Sequence, residues 1–507
     1  MRALAPAFKA YTWAPPSDEV ARLAGIDPSQ VLRFDQNTPS QPLPSTRPAA
    51  VAGALARISG YPAGGYRTLR RAIADYAGVE PENVVLGAGA DDLILLCARA
   101  YAGPGDTVAI PESPTYPLFR IAVELAGARV LDEQSGDDDP VLTYACRPNN
   151  PTGTLGPLPD ARPLVVDEAY FEFSGETALP LLDEGVIVLR TFSKLFALAG
   201  ARIGYALAST EIAAELNARQ APAPVSELSA ALAIAALASR PDPRPVLEER
   251  ERFAEGLRAL GFEPLESHAN FLYVPTGDAD AIVGSLLQQG IVVRSFPGAF
   301  RVSVLDREDD DRLLEALGGP AVSGGRSVRT IRATAETRFA TRLSLDGGRR
   351  VRVATGAGIY DHFLEQLAFH AGFDLVLEGV GDLETGDHHT AEDAALAFGE
   401  ALDAALGDRA GIARYGNAVV PMDDAIARAA VDLGGRPFAE LQLEHDPGMA
   451  VHMFTSLAQA ARATIHVEAS GRDAHHVAEA AFKAVGRALA IAVAPAGAGI
   501  PSTKGIL

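Results

Sequence analysis

The chain has 507 residues, 48% hydrophobic and 21% charged, the make-up of an ordinary globular protein of about two to four domains. A net charge of −21 argues against nucleic acid or an anionic membrane as the main partner, while leaving room for small anionic substrates held by a local cluster of cations. There is no apolar run of the roughly 18 residues that a membrane span needs, and the first twenty residues contain no apolar core of signal-peptide type. The two cysteines, Cys97 and Cys146, are too few for a disulfide framework, so a reducing cytoplasm is the expected compartment.

In chain order, short β-rich runs alternate with helical patterns through the first 320 residues. "ENVVLGAGA" runs into the helical "DDLILLCARAYA"; "DTVAIPESP" precedes the helical "TYPLFRIAVELAGA", followed by "ARVLDEQ". "RPLVVDEAYFEF" and "GVIVLRTFSK" read as buried strands with loops at their carboxyl ends. This alternation predicts an α/β fold with a mostly parallel sheet, in which ligands sit beyond the carboxyl ends of the strands. The residues found there are Gly89, Ala90, Asp91, Asp167, Tyr170, Ser193 and Lys194. "REDDDRLLEALGG" reads as a closing amphipathic helix and "GGPAVSGGRS" as a linker, so a first domain over 1–320 and a second over 326–507 are expected.

Lys194 is one of only four lysines among 44 basic residues, so arginine is the ordinary surface cation of this chain. An ε-amine can form a Schiff base and a guanidinium cannot. Pyridoxal phosphate as the aldehyde partner would also need a carboxylate for its pyridinium nitrogen, available in Asp167, and a helix N-terminus for its phosphate, available after "GAGAD".

The motifs "RPNNPTG", "VVDEAYFEF", "RTFSKLFALAGARIGYA" and "ANFLYV", spread over residues 10–317, resemble the fold-type I aminotransferases, and most closely their histidinol-phosphate aminotransferase branch. By that resemblance Lys194 is the Schiff-base lysine and Asp167 the partner of the pyridinium. Tyr170 and Asn150 would hold the ring's phenolic oxygen, and Tyr116 would stack on the ring. Ala90, Asp91, Thr191, Ser193 and Arg202 would bind the cofactor phosphate, with Tyr61 reaching the phosphate of a neighbouring subunit in a dimer. Arg301, with Arg294 nearby, would clamp the substrate carboxylate as a bidentate fork. Two spacings depart from the family's habit: 17 positions separate Asn150 from Asp167, and Arg294 lies close to Arg301. "FDQNTPS" around Asn37 replaces a Glu-Asn-Pro pattern.

Beyond the linker the chemistry changes, because nine of the ten histidines lie at or after position 362. "HHTAEDAALAFGEAL" from His388 and "HHVAEAAFKAVGRAL" from His475 share the pattern H-H-x-A-E-x-A-x-x-A-x-G-x-A-L at an offset of 87 residues. The second domain therefore reads as a duplicated unit. His362 precedes the first pair by 26 residues and His452 the second by 23, each in an apolar helical pattern followed by an alternating strand. The halves carry His362, His388, His389 and Glu392, and His452, His475, His476 and Glu479. Adjacent histidines project about 100° apart on a helix, which suits contact with two ions better than with one. Eight such ligands predict two metal ions with four protein ligands each, and imidazole–carboxylate ligation fits Mn or Zn. His370, His445 and His466 lack repeat partners and are expected to be structural.

"TGAGIYDHFLEQLAFHAGFDL", "GDHHTAEDAALAFGEALDAALGDRAGIARYG", "VPMDDAIARAAVDLGGRPF" and "PSTKG" resemble imidazoleglycerol-phosphate dehydratase over about 327–507. The resemblance implies a duplicated α+β domain of four-stranded sheets with helices. It also implies two Mn2+ ions per site on the eight residues above, completed between subunits of a 24-subunit shell. Glu336, Gln366 and Asp423 would lie in the active site, with Glu336 a candidate base; Arg414, Arg436, Lys483, Ser502 and Lys504 would hold the substrate phosphate. Together the two resemblances imply a bifunctional enzyme of histidine biosynthesis. Its substrates would be phosphorylated imidazoles and glutamate, and its dehydration product, imidazole-acetol phosphate, would be the acceptor for its transamination. The competing readings are an aromatic aminotransferase or pyridoxal-dependent lyase in the first part, and a metal-stabilised assembly module in the second.

Overall fold

A computed structural model describes residues 8–39, 53–131, 139–319, 326–446, 448–497 and 499. The chain divides into two compact units, Met1–Ala321 and Val322–Leu507.

The first unit is built on a seven-stranded sheet. Its strands are β1 (Val84–Gly87), β2 (Thr107–Ala109), β3 (Arg129–Val130), β4 (Leu142–Cys146), β5 (Leu164–Asp167), β6 (Val186–Thr191) and β7 (Gly204–Leu207). They lie in the order β1-β7-β6-β5-β4-β2-β3, and β7 alone runs against its neighbours. Every residue of β4, β5 and β6 is buried, because helices cover both faces and leave no side for polar alternation. Helix α1 (Ala90–Tyr101) starts just after β1, which aims its amino end at the carboxyl ends of β5 and β6. An antiparallel sheet of β8 (Phe271–Pro275), β9 (Arg294–Phe296) and β10 (Ala299–Ser303), in the order β9-β10-β8, has its own core around Phe34, Phe253, Leu272 and Phe300.

In the second unit, β11 (Ser327–Ala333), β12 (Thr337–Ser344), β13 (Val351–Ala354) and β14 (Asp374–Gly381) form a sheet in the order β11-β12-β14-β13. A second sheet of β15 (Tyr415–Met422), β16 (Ala425–Asp432), β17 (Phe438–Leu443) and β18 (Thr464–Ser470) has the matching order β15-β16-β18-β17. In each, the first three strands in space are antiparallel and the last joins in parallel. Strands such as β16 alternate buried and exposed residues, as expected of a sheet with one face on the core. Four helices supply the other side of that core: α2 (Gly358–Ala371), α3 (His388–Leu406), α4 (Ala450–Ala460) and α5 (Ala474–Ala492).

These helices pair across the two halves. The glycine of the repeated pattern shows why. A Cβ at Gly399 of α3 would stand 2.7 Å from Ala460 Cβ and 2.9 Å from the Leu457 carbonyl oxygen of α4. A Cβ at Gly486 of α5 would collide with the Leu367 carbonyl of α2. Glycine at these two points lets α3 close on α4 and α5 close on α2, so each half packs its His-His helix against the other half's helix. Fully buried Arg409 fastens the same region, donating to the carbonyls of Leu433, Ala461 and Arg462 and pairing with Asp403. No described helix of either unit is long and apolar enough to cross a membrane.

Candidate active sites

In the first unit, Asp167 ends β5 and Lys194 follows β6, which brings both to the same edge of the sheet. The Asp167 carboxyl accepts a 3.1 Å hydrogen bond from Ala169 N–H and is otherwise desolvated; burial pushes its pKa up to about 7. The Lys194 ammonium donates to the Gln36 carbonyl at 3.2 Å, and burial, followed by the positive charge of Arg301, pushes its pKa down to about 8. A buried acid with no cation bonded to it among the described residues, and an amine made easy to deprotonate, suit a ligand bearing both a cationic ring nitrogen and an aldehyde.

The remaining residues lie around this pair. Ala90 is the first residue of α1, and Gly89, at φ 86°, precedes it. A Cβ on Gly89 would come within 2.8 Å of the Arg202 guanidinium, so glycine keeps the helix amino end and that cation side by side. Arg202 pairs with Asp91 at 2.8 Å, and Asp91 also accepts from the Tyr116 hydroxyl at 2.9 Å. Thr191 and Ser193 are hydrogen-bonded hydroxyl to hydroxyl at 2.9 Å. Amide N–H groups, two hydroxyls and a guanidinium together form an anion cradle, the donor set a phosphate requires.

Arg301 of β10 is buried, donates to the Asp35 carbonyl at 2.7 Å and to the Asn150 side-chain oxygen, and forms no ion pair among the described residues. Its Nε is buried without a hydrogen-bond partner among the described residues. Arg294 faces it as its register partner across the β9–β10 hairpin, which accounts for their closeness in sequence, and lies over the Tyr11 ring at 5.4 Å. Tyr61 is 92% exposed.

Sequence reasoning assigned no role to Asn37, yet it is buried beneath the site. It adopts a left-handed φ of 53°, and its amide donates 3.0 Å to the Tyr170 hydroxyl. Ser303 and Asn270 fix it in turn: Asn37 N–H donates to Ser303 Oγ at 2.8 Å, and Asn270 donates to its carbonyl at 3.1 Å.

In the second unit, three clusters of ligand-type residues form, each with its donor atoms within 4.8 Å of one another. His362 of α2 joins His475 and Glu479 of α5, with Nε2-to-carboxylate distances of 3.7 and 3.3 Å. His452 of α4 joins His388 and Glu392 of α3, at 3.3 and 3.6 Å. Each triad thus draws on both halves, following the crossed helix pairing. His452 Nε2 is buried and makes no hydrogen bond among the described residues, a lone pair that a cation would satisfy. Two imidazoles and a carboxylate make a suitable donor set for a divalent transition metal. One chain therefore assembles three of the four ligands expected for each ion.

The other two histidines lie elsewhere. His389 is in the third cluster, 3.1 Å from Asp382 and 3.6 Å from Glu336, and His476 Nδ1 is 2.6 Å from Asp424. Asp423, in the β15–β16 turn, is 3.7 Å from His476. Gln366 lies one turn after His362 on α2 and is half-buried. Lys483 pairs with Glu479 at 2.8 Å. Arg414 is buried and held by Asp432 through two bonds of 2.7 and 3.0 Å, while Arg436 is exposed. Ser502 and Lys504 fall outside the described residues. His370 and His466 are in none of the clusters, and His466 lies beside Phe438 on the outer face of its sheet.

Residues 29–317 match the family model of class I and II aminotransferases, and residues 355–489 that of imidazoleglycerol-phosphate dehydratase. The dehydratase of Salinispora tropica is 48% identical, covering 36% of this chain and 99% of its own length. The chain belongs to both families. For the dehydratase part, the enzyme of Methanothermobacter thermautotrophicus is likewise 48% identical over 97% of its length. For the aminotransferase part, the solved histidinol-phosphate aminotransferase of Sinorhizobium meliloti, in complex with pyridoxal-5'-phosphate, matches with a TM-score of 0.54 and 28% identity, over 61% of this chain and 94% of its own. A putative aminotransferase from Burkholderia pseudomallei matches with a TM-score of 0.50 and 26% identity, over 57% and 98%. An aminotransferase of the pyridoxal-phosphate-dependent fold and a dehydratase thus share one chain, a combination that fits a bifunctional enzyme of histidine biosynthesis.

Proposed function

We propose that this enzyme dehydrates imidazoleglycerol phosphate to imidazole-acetol phosphate and transaminates that ketone with glutamate to histidinol phosphate, releasing 2-oxoglutarate. The observation that supports this best is the presence on one chain of the Lys194–Asp167 pair and the two histidine–glutamate triads.

For transamination, pyridoxal phosphate would supply the aldehyde and the electron-withdrawing ring. Lys194 is the amine that holds it and, once released, moves the proton at the substrate carbon; a pKa near 8 leaves it an effective base close to neutrality. Asp167 pairs with the ring nitrogen, and Tyr170 and Asn150 hold the phenolic oxygen. Tyr116 stacks on the ring. The Ala90–Asp91 amides, Thr191, Ser193 and Arg202 hold the phosphate, with Tyr61 serving the partner subunit of a dimer. Arg301, desolvated and without an acidic partner among the described residues, binds the glutamate carboxylate, and Arg294 stands beside it.

For dehydration, two Mn2+ ions on the triads, with His389 and His476 contributed between copies in a 24-subunit shell, would favour the anionic form of the substrate imidazole. The anionic ring expels hydroxide from the side-chain carbon attached to it, Glu336 removes the proton from the next carbon, and the resulting enol becomes the ketone. Asp423 and Gln366 line the site. Lys483, Arg436, Arg414, Ser502 and Lys504 hold the phosphate, Arg414 from a position fixed by Asp432. A reducing cytoplasm is the compartment this chemistry suits.

Substitution separates the halves. Lys194→Ala stops conversion at imidazole-acetol phosphate, whereas His388→Ala abolishes dehydration and leaves transamination of added ketone intact. Phenylpyruvate accepted in preference to imidazole-acetol phosphate would turn the first half into an aromatic aminotransferase instead.

A further inference from the structure

The two members of each His-His pair are held differently. The first members, His388 and His475, turn Nε2 toward the glutamate one helical turn later, at 3.6 and 3.3 Å. The second members turn Nδ1 toward an aspartate outside the triads. His389 Nδ1 is 3.1 and 3.3 Å from the two oxygens of Asp382, and His476 Nδ1 is 2.6 Å from Asp424. An ionised carboxylate only accepts, so the proton of the neutral ring must sit on Nδ1, leaving the lone pair on Nε2. The aspartates are themselves anchored. Asp382 accepts from Thr385 Oγ1 at 2.8 Å, and Asp424 accepts from the N–H groups of Arg472 and Asp473 at 2.7 and 3.0 Å.

The halves reach this arrangement from unlike positions. Asp382 follows β14 on the way into α3, whereas Asp424 sits in the turn between β15 and β16. The turn equivalent to the latter in the first half holds Glu336, 3.6 Å from His389. A fold duplication alone would have put the same contact at the same place. Two different contacts serving the same ring atom point to a shared requirement at that atom.

We propose that Asp382 and Asp424 are positioning residues that lock His389 and His476 in the tautomer and orientation in which Nε2 is presented as a metal ligand outside the chain's own triads. The proposal rests on the reading that these histidines ligate metal. In this arrangement each aspartate acts through its imidazole.

The test is a Mn2+ titration of the full-length chain by calorimetry, with particle size followed by analytical ultracentrifugation. Carboxylate partners of this kind are worth about 10–100-fold in metal affinity. Asp382→Ala and Asp424→Ala are each expected to weaken Mn2+ binding by about that factor and to raise the Mn2+ concentration needed for assembly. Asp382→Asn, whose amide oxygen still accepts from Nδ1–H, is expected to retain affinity within about threefold of wild type, a rescue that loss of folding would not produce. Alanine variants that bind Mn2+ like wild type, or an asparagine variant as weak as the alanine one, overturn the proposal. A wild-type chain that takes up no Mn2+ overturns the underlying metal reading, and the proposal with it.

Discussion

At Lys194 burial and the Arg301 charge act in the same direction, both disfavouring the ammonium, so the free amine emerges near pH 8 rather than at the ordinary 10.5. Cofactor uptake by the metal-free, cofactor-free chain, followed by absorbance, should therefore accelerate as pH rises and level off above about 8. Arg301→Gln removes one of the two effects and should move that midpoint upward. Asn37 makes a second test. Asn37→Ala deletes the bond to Tyr170, leaves a non-glycine residue at positive φ, and should lower kcat/KM for transamination about tenfold while shifting the absorbance titration of the bound cofactor. Lys194 stood out in the sequence because a Schiff base would demand an amine, in a chain whose ordinary cation is arginine. Asn37 was not, because its bonds reach Tyr170, Asn270 and Ser303, which only the fold brings to it.

Between secondary-structure elements, the spacing that was readable and the contact that was not are distinct. The offset of the two His-His patterns, the apolar helices and the alternating strands could all be read from residue periodicity. Which helix meets which could not, since His362 lies closer in sequence to His388 than to His475, yet shares its triad with His475 and Glu479. The signal lay in the repeated glycine, whose missing side chain marks the close crossings at Gly399 and Gly486. Gly486→Val forces α5 away from α2, between which one triad is divided. It should cost about 1–3 kcal/mol through overpacking and lower the temperature of the Mn2+-responsive transition in scanning calorimetry of the whole chain. Equal destabilisation without any change in Mn2+ affinity would separate packing from ligand placement and count against the crossed-helix account of that triad.

For the whole molecule, the two chemistries depend on different groups and should part cleanly. Exhaustive chelation should abolish dehydration while transamination of added imidazole-acetol phosphate proceeds; loss of both would show the reactions to be entangled. Alternation of strands and helices was enough to anticipate the α/β class, whereas the antiparallel course of β7 was not, because its buried sequence reads like that of its parallel neighbours. The most direct test follows the unmodified chain, supplied with pyridoxal phosphate, Mn2+, imidazoleglycerol phosphate and glutamate, by phosphorus and proton NMR. Histidinol phosphate should form with one equivalent of 2-oxoglutarate for each imidazoleglycerol phosphate consumed. Consumption that ends at the ketone, or no consumption at all, would contradict the claim that both steps belong to this chain.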